Sequence, residues 1–353
     1  MKKIGIVVVT FNSGDYVLEC LESVFRSEGV MPVVVVVDNN SEDATVEGIV
    51  NWANGTREVH IGPASPVVMG ARHQKSIDFE MRGSEPGEAP SKPLTIVRND
   101  LNGGFAFGVN CGLDSLLKDE TIEDFLLLNP DCVLPGDAAF GMLQCAAKGP
   151  YGMIGVRQIF YETPDVIQSD GFRLDRRFGV CVSVNARAAV ATSALPADAE
   201  LDFVSGACML LSRTLLRQAG PLDEDYFLYY EETDLSMAKG KLPVRLARDV
   251  VVYHYGGTSI GSATTNQRSS PFANYFGMKS RMRFMRKHFP HRVWMAALYS
   301  LAKAASILNH PAGAHAMAAG ILGLPPPKAV SDKIRDPRTR RIAFGKGHGQ
   351  PNA

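Results

Sequence analysis

Apolar residues in the first 130 positions form short continuous runs that are separated by segments with helical spacing. The runs are Ile4–Val9, Val33–Val37, Leu94–Val97 and Phe125–Leu128. Continuous apolar runs without polar alternation are typical of strands buried on both faces of a parallel sheet. Between the first two runs, Leu18, Leu21, Val24 and Phe25 fall on one helical face. The pattern predicts an α/β fold, with an open, mostly parallel sheet flanked by helices.

Residues 63–93 interrupt this order with five prolines and little periodicity. A stretch of that length inside a domain is commonly a functional loop, so we predict a mobile insertion that orders around a ligand. From residue 270 onward, helical spacing dominates up to the three prolines at 325–327. The expected organisation is one α/β domain over residues 1–265, a basic amphipathic helical extension over 266–327, and a basic, disordered tail over 328–353.

Composition excludes several classes of protein. Hydrophobic residues make up 45% and charged residues 21% of the 353 positions, and the formal net charge is zero; disordered, collagen-like and coiled-coil chains are therefore excluded. The charge is segregated, because residues 1–249 carry 22 basic and 35 acidic residues whereas residues 250–353 carry 15 and 2. The basic part is expected to meet an anionic partner, nucleic acid or a phospholipid surface, or else to pair with the acidic part of the chain.

Cysteine usage and hydropathy bear on the compartment. The six cysteines include no CxxC pair and no spacing typical of a metal site, so we expect free thiols in a reducing, cytoplasmic environment. No apolar run reaches the ~18–20 residues needed to span a bilayer. We therefore expect that the chain does not cross a membrane.

Polar residues directly follow the first two predicted strands. They are Thr10, Phe11 and Asn12 after the first strand and Asp38, Asn39, Asn40 and Ser41 after the second. Ligands of open α/β sheets bind beyond the carboxyl ends of strands, where such side chains can contact a base or a ribose; the alternative is two turns capped by their own side chains. The chain has no GxGxxG after the first strand and no GxxxxGK[ST], which argues against a dinucleotide dehydrogenase and a P-loop NTPase.

Two further element ends carry candidate binding residues. A glycine-rich turn, Asn102-Gly103-Gly104-Phe105, precedes the helical segment that contains Asn110; its backbone N–H groups can contact a phosphate, or the turn is a plain connector. The apolar run Leu126–Leu128 leads straight into Asn129-Pro130-Asp131. A carboxylate at such a strand end can hold a divalent cation, although the same motif also forms simple turns.

An acidic cluster and one histidine complete the candidate residues. Glu231, Glu232 and Asp234 follow an aromatic run that ends at Tyr230. Acidic residues at a helix start complement the helix dipole, but carboxylates beside aromatic surface often line a pocket and have raised pKa values. His254 ends an apolar, β-rich run and precedes a loop of small residues. Without other signals, a single histidine is more commonly a core or surface residue than a ligand.

Taken in order, these motifs resemble those of the family 2 glycosyltransferases of the GT-A fold, in particular the bacterial rhamnosyltransferase-like members. The resemblance covers about residues 3–290 and rests on V-T-F-N, V-D-N-x-S, N-x-G-F-A-x-G-x-N, L-N-P-D, Gly206-Ala207, F-L-Y-Y-E-E-x-D-L and H-x-x-G-x-S. It implies a GT-A type, nucleotide-binding sheet that is open and mostly parallel, with a C-terminal helical extension.

The resemblance also implies roles for individual residues. The nucleotide sugar would be held by Thr10, Phe11, Asn12, Asp38, Asn40, Asn102, Gly103, Gly104, Phe105, Asn110 and Asn129, and the acceptor by Gly206, Ala207 and Tyr230. Asp131 would bind Mg²⁺ or Mn²⁺, with His254 as a further ligand or a diphosphate contact. The catalytic carboxylates would be Glu231, Glu232 and Asp234. The family usually has Glu-Asp where this chain has Glu231-Glu232, so Glu232 would be the general base.

The implied reaction is a single displacement with inversion, in which a carboxylate takes the proton of the acceptor hydroxyl. The donor would be a nucleoside diphosphate sugar, with dTDP-rhamnose favoured over a UDP-sugar, and the acceptor a glycan or a lipid-linked glycan of a cell-surface polysaccharide. The basic helices are expected to bind the anionic inner face of the cell membrane peripherally or to form a homo-oligomer, and no nucleic-acid partner is expected. The alternatives are a nucleotidyltransferase, for which an early glycine-rich basic loop is missing, and a non-catalytic glycan-binding or scaffold protein.

Overall fold

The computed structural model describes residues 1–59, 65–71, 76–85, 87–256 and 268–345. Its strands are β1 (Lys2–Thr10), β2 (Val30–Asp38), β3 (Phe79–Gly83), β4 (Leu94–Arg98), β5 (Asp124–Leu128), β6 (Cys132–Val133), β7 (Met153–Phe160), β8 (Ile167–Ser169), β9 (Phe172–Asp175), β10 (Val180–Ser183), β11 (Cys208–Ser212) and β12 (Val244–His254). Its helices are α1 (Val17–Phe25), α2 (Thr45–Ala53), α3 (Phe105–Leu117), α4 (Ala138–Ala146), α5 (Arg213–Ala219), α6 (Glu231–Met237), α7 (Pro271–His288), α8 (Val293–Ala305), α9 (Pro311–Leu322), α10 (Lys328–Ser331) and α11 (Pro337–Phe344).

A ten-stranded sheet lies at the centre, in the order β3-β4-β2-β1-β5-β11-β7-β12-β6 with β8 beside β7. β1 is parallel to β2 and β5, and β4 is parallel to β2 and β3. β11 is antiparallel to both of its neighbours, whereas β12 is parallel to β7. The predicted open, mostly parallel sheet is therefore confirmed, and the carboxyl ends of β1, β2 and β5 meet at one edge.

Two hydrophobic cores cover the two faces of this sheet. Ile6 and Val8 are fully buried in the core with helices α1, α2 and α4, while Val7 points into the opposite core with α3 and α5. Successive strand residues point to opposite faces, so a strand that is covered on both sides must be apolar at every position. This is why the valine runs of β1 and β2 have no polar alternation.

The predicted insertion over residues 63–93 is wrong where β3 forms. Phe79–Gly83 pairs in parallel with β4 and makes the edge of the sheet. Glu80 fixes the return of the chain, because its carboxylate accepts hydrogen bonds from Ser91 N and Thr95 Oγ1, each at 3.0 Å. A five-residue edge strand buries too little surface to show a clear period in the sequence. Residues 60–64, 72–75 and 86 lie outside the described residues, and the mobility of the segment stays a prediction.

The predicted disorder of the tail from residue 328 is also wrong as far as residue 345. The helices α10 and α11 form there, and Val330 and Ala343 are completely buried. They belong to a third core that includes Phe227, Leu228 and Phe276. The basic composition of the tail concealed these few apolar contacts. Residues 346–353 lie outside the described part of the chain.

The basic side chains of α7 do not form a free amphipathic face. Arg281 is buried, and its guanidinium donates to Tyr230 Oη at 3.0 Å and to Ser300 Oγ at 3.1 Å. Arg283 contacts the carboxylates of Asp223 and Asp225, and Lys287 Nζ lies 2.8 Å from Asp223 and 2.7 Å from Asp234. Pairing with the acidic part of the chain, the second of the two expectations, therefore accounts for these charges. In the part of the chain that the structure describes, we find no helix long and apolar enough to span a bilayer.

Candidate active site

Asp38 organises the ends of β1 and β2. Its buried carboxylate accepts hydrogen bonds from Thr10 Oγ1 at 3.0 Å, Ser41 N at 3.0 Å and Ser41 Oγ at 2.5 Å. The turns that follow are strained, because Asn12 and Asn40 have φ angles of 50° and 61°, a region that asparagine enters more readily than most residues. Asp38 and Thr10 therefore shape the predicted nucleotide site, while Asn12 and Asn40 stand at its surface.

Asn39 belongs to the polar group after β2, but it was not among the residues assigned to the nucleotide sugar. It is buried, and its Nδ2 donates to Gly104 O at 2.9 Å while its Oδ1 accepts from Asn99 Nδ2 at 2.8 Å. It thereby ties the end of β2 to the glycine-rich turn before α3. Its sequence signal was its place in the polar run that directly follows β2.

The glycine-rich turn allows two backbone segments to touch. Gly104 has a φ angle of 94°, and a Cβ at this position would lie 2.4 Å from Phe227 O. Phe105 N donates to the same carbonyl at 3.0 Å. This contact joins the start of α3 to the aromatic run before α6, so the turn positions the two sides of the site relative to each other.

The register of β6 and β12 brings Asp131 and His254 together. His254 pairs with Cys132 across the two strands, which places His254 Nε2 3.0 Å from Asp131 Oδ1. Gln168 Oε1 lies 2.6 Å from His254 Nδ1, where it can accept a hydrogen bond from Nδ1–H, so that the Nε2 lone pair faces the carboxylate. Two acceptors that face each other in a buried site require a shared proton or cation.

The donor set fits a divalent cation. Among the described residues, one group of three potential ligands lies within 4.8 Å, formed by Asp131, Cys132 and His254. Burial and the charge of Asp131 raise the pKa of the Cys132 thiol, and Cys132 Sγ is 3.2 Å from Ala207 O, to which it can donate. In the absence of a cation the thiol is therefore protonated, and the donors that are ready to bind one are a carboxylate oxygen of Asp131 and an imidazole nitrogen of His254. That pair suits Mn²⁺ and similar ions. The Gly257 and Ser259 positions of the H-x-x-G-x-S motif lie outside the described residues.

Glu231 and Glu232 begin α6 after two residues in an unfavourable conformation. Tyr229 and Tyr230 have φ angles of 68° and 74°, and such strain in residues with large side chains is typical of functional sites. Burial and the neighbouring Glu232 raise the pKa of Glu231, and burial raises the pKa of Glu232 to about 7. Within the described residues, Oε2 of each glutamate has no hydrogen-bond partner.

Glu232 lies beside the predicted acceptor residue Gly206. A Cβ on Gly206 would be 3.8 Å from Glu232 Cδ and 3.9 Å from Phe105 Cε1. Glycine at this position therefore leaves room for a methyl-sized group between the carboxylate and the start of α3. Ala207 is buried, and its carbonyl accepts from Asn129 N at 2.8 Å, so it holds the strand end in place.

Three predicted site residues have other partners. Asp234 accepts from Tyr226 Oη and pairs with His288 and Lys287 of α7, so its carboxylate serves to attach that helix. The Tyr230 hydroxyl donates to Gly179 O and accepts from Arg281, which leaves it buried and away from an acceptor. Asn110 is bound to Leu222 and Glu224 because it anchors that loop on α3.

One cavity of about 340 Å³ brings together seven of the predicted residues, whereas Glu232, Gly206 and His254 do not line it. Of the predicted residues, Phe11, Asn12, Asn102, Gly104, Phe105, Asn129 and Asp131 line it. The lining also includes residues to which the sequence analysis assigned no role in binding, namely Asn39, Phe227, Leu228, Ser270, Phe272, Lys333 and Ile334. Asn40 lines a smaller neighbouring cavity. Gly103 does not line either cavity, and a Cβ there would meet the Phe107 ring.

This chain is similar to known proteins in parts of its sequence and in its fold. Residues 5–62 match the family model "Glycosyl transferase family 2". The chain is 28% identical over 140 residues to the low-salt glycan biosynthesis hexosyltransferase Agl10 of Haloferax volcanii, a match that covers 38% of this chain and 42% of that protein. Its fold is similar to the crystal structure of GalNAc-T7 with UDP, GalNAc and Mn²⁺, with a TM-score of 0.55 and 11% identity over 86% of this chain and 51% of the other.

The chain thus spans less than half of the curated relative and about half of the solved structure. At 11% identity the structural likeness concerns the fold, whereas the family model concerns the sequence around β1, α1 and β2. By its sheet and by these likenesses, the chain is a GT-A fold protein whose residues 5–62 match glycosyl transferase family 2.

Proposed function

We propose that this protein is a divalent-metal-dependent, inverting glycosyltransferase that transfers a hexose from a nucleoside diphosphate sugar to an acceptor hydroxyl. One observation carries the proposal. A single cavity connects the ends of β1 and β2 with Asp131, which contacts His254, and with Phe105. Glu232 does not line this cavity, but it and Phe105 both lie within 4 Å of the Cβ position of Gly206. A nucleotide site, a cation site and a base are the three parts that this reaction requires.

Residues that line the cavity and residues beside it have separate roles in the proposed reaction. Asn12, Asn39 and Asn102 line the end of the cavity that would hold the nucleoside, and Asp131 with His254 would hold Mn²⁺ or Mg²⁺. A bound divalent cation supplies neutralisation of the charge that develops on the leaving diphosphate. Glu232, with its raised pKa, accepts the proton of the attacking hydroxyl in the space beside Gly206. A single base opposite the leaving group leads to inversion.

The donor and acceptor follow from the resemblance of the motifs and from the relatives. We propose dTDP-rhamnose as the first donor to test and UDP-sugars as the second, since the solved GT-A structure contains UDP and Mn²⁺ and the curated relative is a hexosyltransferase. The acceptor would be a glycan or a lipid-linked glycan in polysaccharide synthesis.

The test is release of nucleoside diphosphate from a panel of dTDP-, UDP- and GDP-sugars, with Mn²⁺, Mg²⁺ or EDTA. We expect metal-dependent release that is lost in Glu232→Gln. Binding of a nucleotide sugar without any turnover, in the presence of candidate acceptors, would instead indicate a non-catalytic binding protein. Incorporation of a nucleotide from a nucleoside triphosphate would indicate a nucleotidyltransferase.

We also propose that the protein attaches peripherally to the inner face of the membrane. The contact would be made by α8, because basic side chains of α7 bind other parts of the protein. Trp294 and Leu298 lie one helical turn apart on α8 with exposed fractions of 63% and 60%, and Arg292 and Lys303 are exposed nearby. Basic and apolar side chains of this kind suit an anionic lipid surface. Trp294→Glu should weaken co-sedimentation with anionic vesicles. A change in the sedimentation coefficient of the free protein, with vesicle binding intact, would indicate a homo-oligomer contact instead.

A further inference from the structure

The C-terminal segment 328–345 lies across the nucleotide end of the cavity. Lys333 and Ile334 line the main cavity together with Asn12 and Asn102. A smaller cavity of about 230 Å³ lies beside it, with Asn12, Asn40 and Glu42 on one side and residues 332–336 with Thr339 on the other. The second cavity is thus a space between the strand ends and the segment.

The segment is attached at both ends and along its length. Val330 and Ile334 are buried among the aromatic residues of the third core. Thr339 Oγ1 accepts from Asn102 N at 3.2 Å, in the glycine-rich turn itself, and Arg338 Nη2 donates to Asp100 O at 2.5 Å. The segment is therefore joined to residues that line the cavity, and its position there does not depend on an exposed loop alone.

Lys333 brings a positive charge to the side of the cavities that the C-terminal segment forms. Its side chain is exposed, and its ammonium group makes no hydrogen bond or ion pair with any residue in the described ranges. Arg335, by contrast, lies 3.7 Å from Glu42, and Arg338 lies 3.7 Å from Asp336. Lys333 lines both cavities, so it stands at the boundary between them and shares the main cavity with Asp131.

We propose that residues 328–345 form the outer wall of the nucleotide site and that Lys333 binds the diphosphate of the donor. This inference rests on the proposed function. The ammonium group of lysine is a compact point charge on a flexible stem, which allows it to follow a diphosphate from the bound donor to the released product. The wall and the sheet edge together enclose the nucleoside, and Lys333 adds affinity only where phosphate is present.

The first experiment compares Lys333→Ala with the wild type in calorimetric titrations with UDP, GDP and dTDP and with the matching nucleosides, in the presence of Mn²⁺. We expect Lys333→Ala to weaken binding of the preferred nucleoside diphosphate by about tenfold, as for one charge-assisted contact, and to leave nucleoside binding unchanged. Lys328→Ala is the matched control, because Lys328 is exposed on α10 and does not line either cavity.

Two results would overturn the role of Lys333: diphosphate affinity of Lys333→Ala equal to that of the wild type, or an equal loss of affinity for nucleoside and diphosphate.

Hydrogen exchange of the wild type tests whether residues 328–345 form a wall of the nucleotide site. Amides of residues 328–340 should gain protection when the nucleoside diphosphate binds, and unchanged exchange there would overturn the wall. If the wild type binds none of the three diphosphates, the proposed function fails and this inference fails with it. If the wild type and Lys333→Ala bind a diphosphate with equal affinity, only the inference about Lys333 fails.

Discussion

At the scale of single residues, the two glutamates at the start of α6 carry the strongest prediction. Glu232→Gln keeps the shape of the side chain but cannot take a proton, so transfer should fall by about 10²–10⁴-fold while nucleotide affinity stays within twofold (about 0.4 kcal/mol). Steady-state transfer and calorimetry measure the two effects. Glu231→Gln is the matched variant, and a larger loss of rate there would move the base one residue earlier.

The pH dependence follows from the pKa of Glu232, which burial raises to about 7 from an ordinary value of 4.5. A base must be deprotonated to act, so kcat/KM should rise between pH 5 and 7 (roughly the window around that pKa) and level off above it. A flat profile through this range would show that Glu232 does not titrate there.

The same pKa shift has an effect on stability with a definite sign. Between about pH 4.5 and 7 the folded state holds more protons than the unfolded state, so stability decreases as the pH rises through this window. Glu232→Gln should therefore gain melting temperature relative to the wild type more at pH 8 than at pH 5, roughly the two sides of that window. Thermal melts at the two values measure the difference, and an equal effect at both values would contradict the assigned shift.

The cation site offers a contrast between neighbouring residues. Asp131→Asn should abolish Mn²⁺ binding in calorimetry and the metal dependence of activity, because it removes the one carboxylate of the group. Cys132→Ala should keep both, since the buried thiol faces Ala207 O at 3.2 Å, to which it can donate a hydrogen bond. Loss of Mn²⁺ binding in Cys132→Ala would show that sulfur is a ligand and that the ion differs from the one proposed.

At the scale of elements, the contact between the glycine-rich turn and the segment before α6 decides whether the two sides of the site meet. Gly104→Ala places a Cβ 2.4 Å from Phe227 O at a φ angle of 94°. This change should cost about 1–3 kcal/mol of stability. It should also lower the rate of transfer, because it would separate Phe105 from Glu232. Gly83→Ala is the control, because a Cβ there meets no atom within 4 Å. Equal melting temperatures for the two variants would contradict the strain at Gly104.

At the scale of the whole molecule, the two oppositely charged parts of the chain neutralise each other along α7. Arg283→Glu faces Asp223 and Asp225 with a third negative charge, so the melting temperature should fall by roughly 2–4 °C after allowance for solvent screening. Arg286→Glu, on the exposed side of the same helix, should have little effect. If Arg283→Glu instead lowered vesicle binding at unchanged stability, α7 would be a membrane contact after all.

Much of the fold could be predicted because it depends on local patterns. A strand covered on both faces must be apolar throughout, so β1, β2 and β5 were visible as runs, and the ends of parallel strands share an edge whatever the rest of the chain does. Asn12, Asn129 and Asp131 could therefore be assigned to one site. The strand β3 and the helices α10 and α11 could not, because each is short and owes its stability to a few contacts with distant parts of the chain.

What the sequence determined by itself was the set of chemical groups and the edge of the sheet at which they gather, because burial and strand direction act over a few neighbouring residues. Only the tertiary structure decided which group meets which. Asp234 and Tyr230 belong by sequence to the same motif as Glu232, yet α7 engages the first two and leaves the third beside Gly206. Lys333 enters the cavity from more than 200 residues beyond Asp131. Such pairings depend on long-range packing, which no local period in the sequence records.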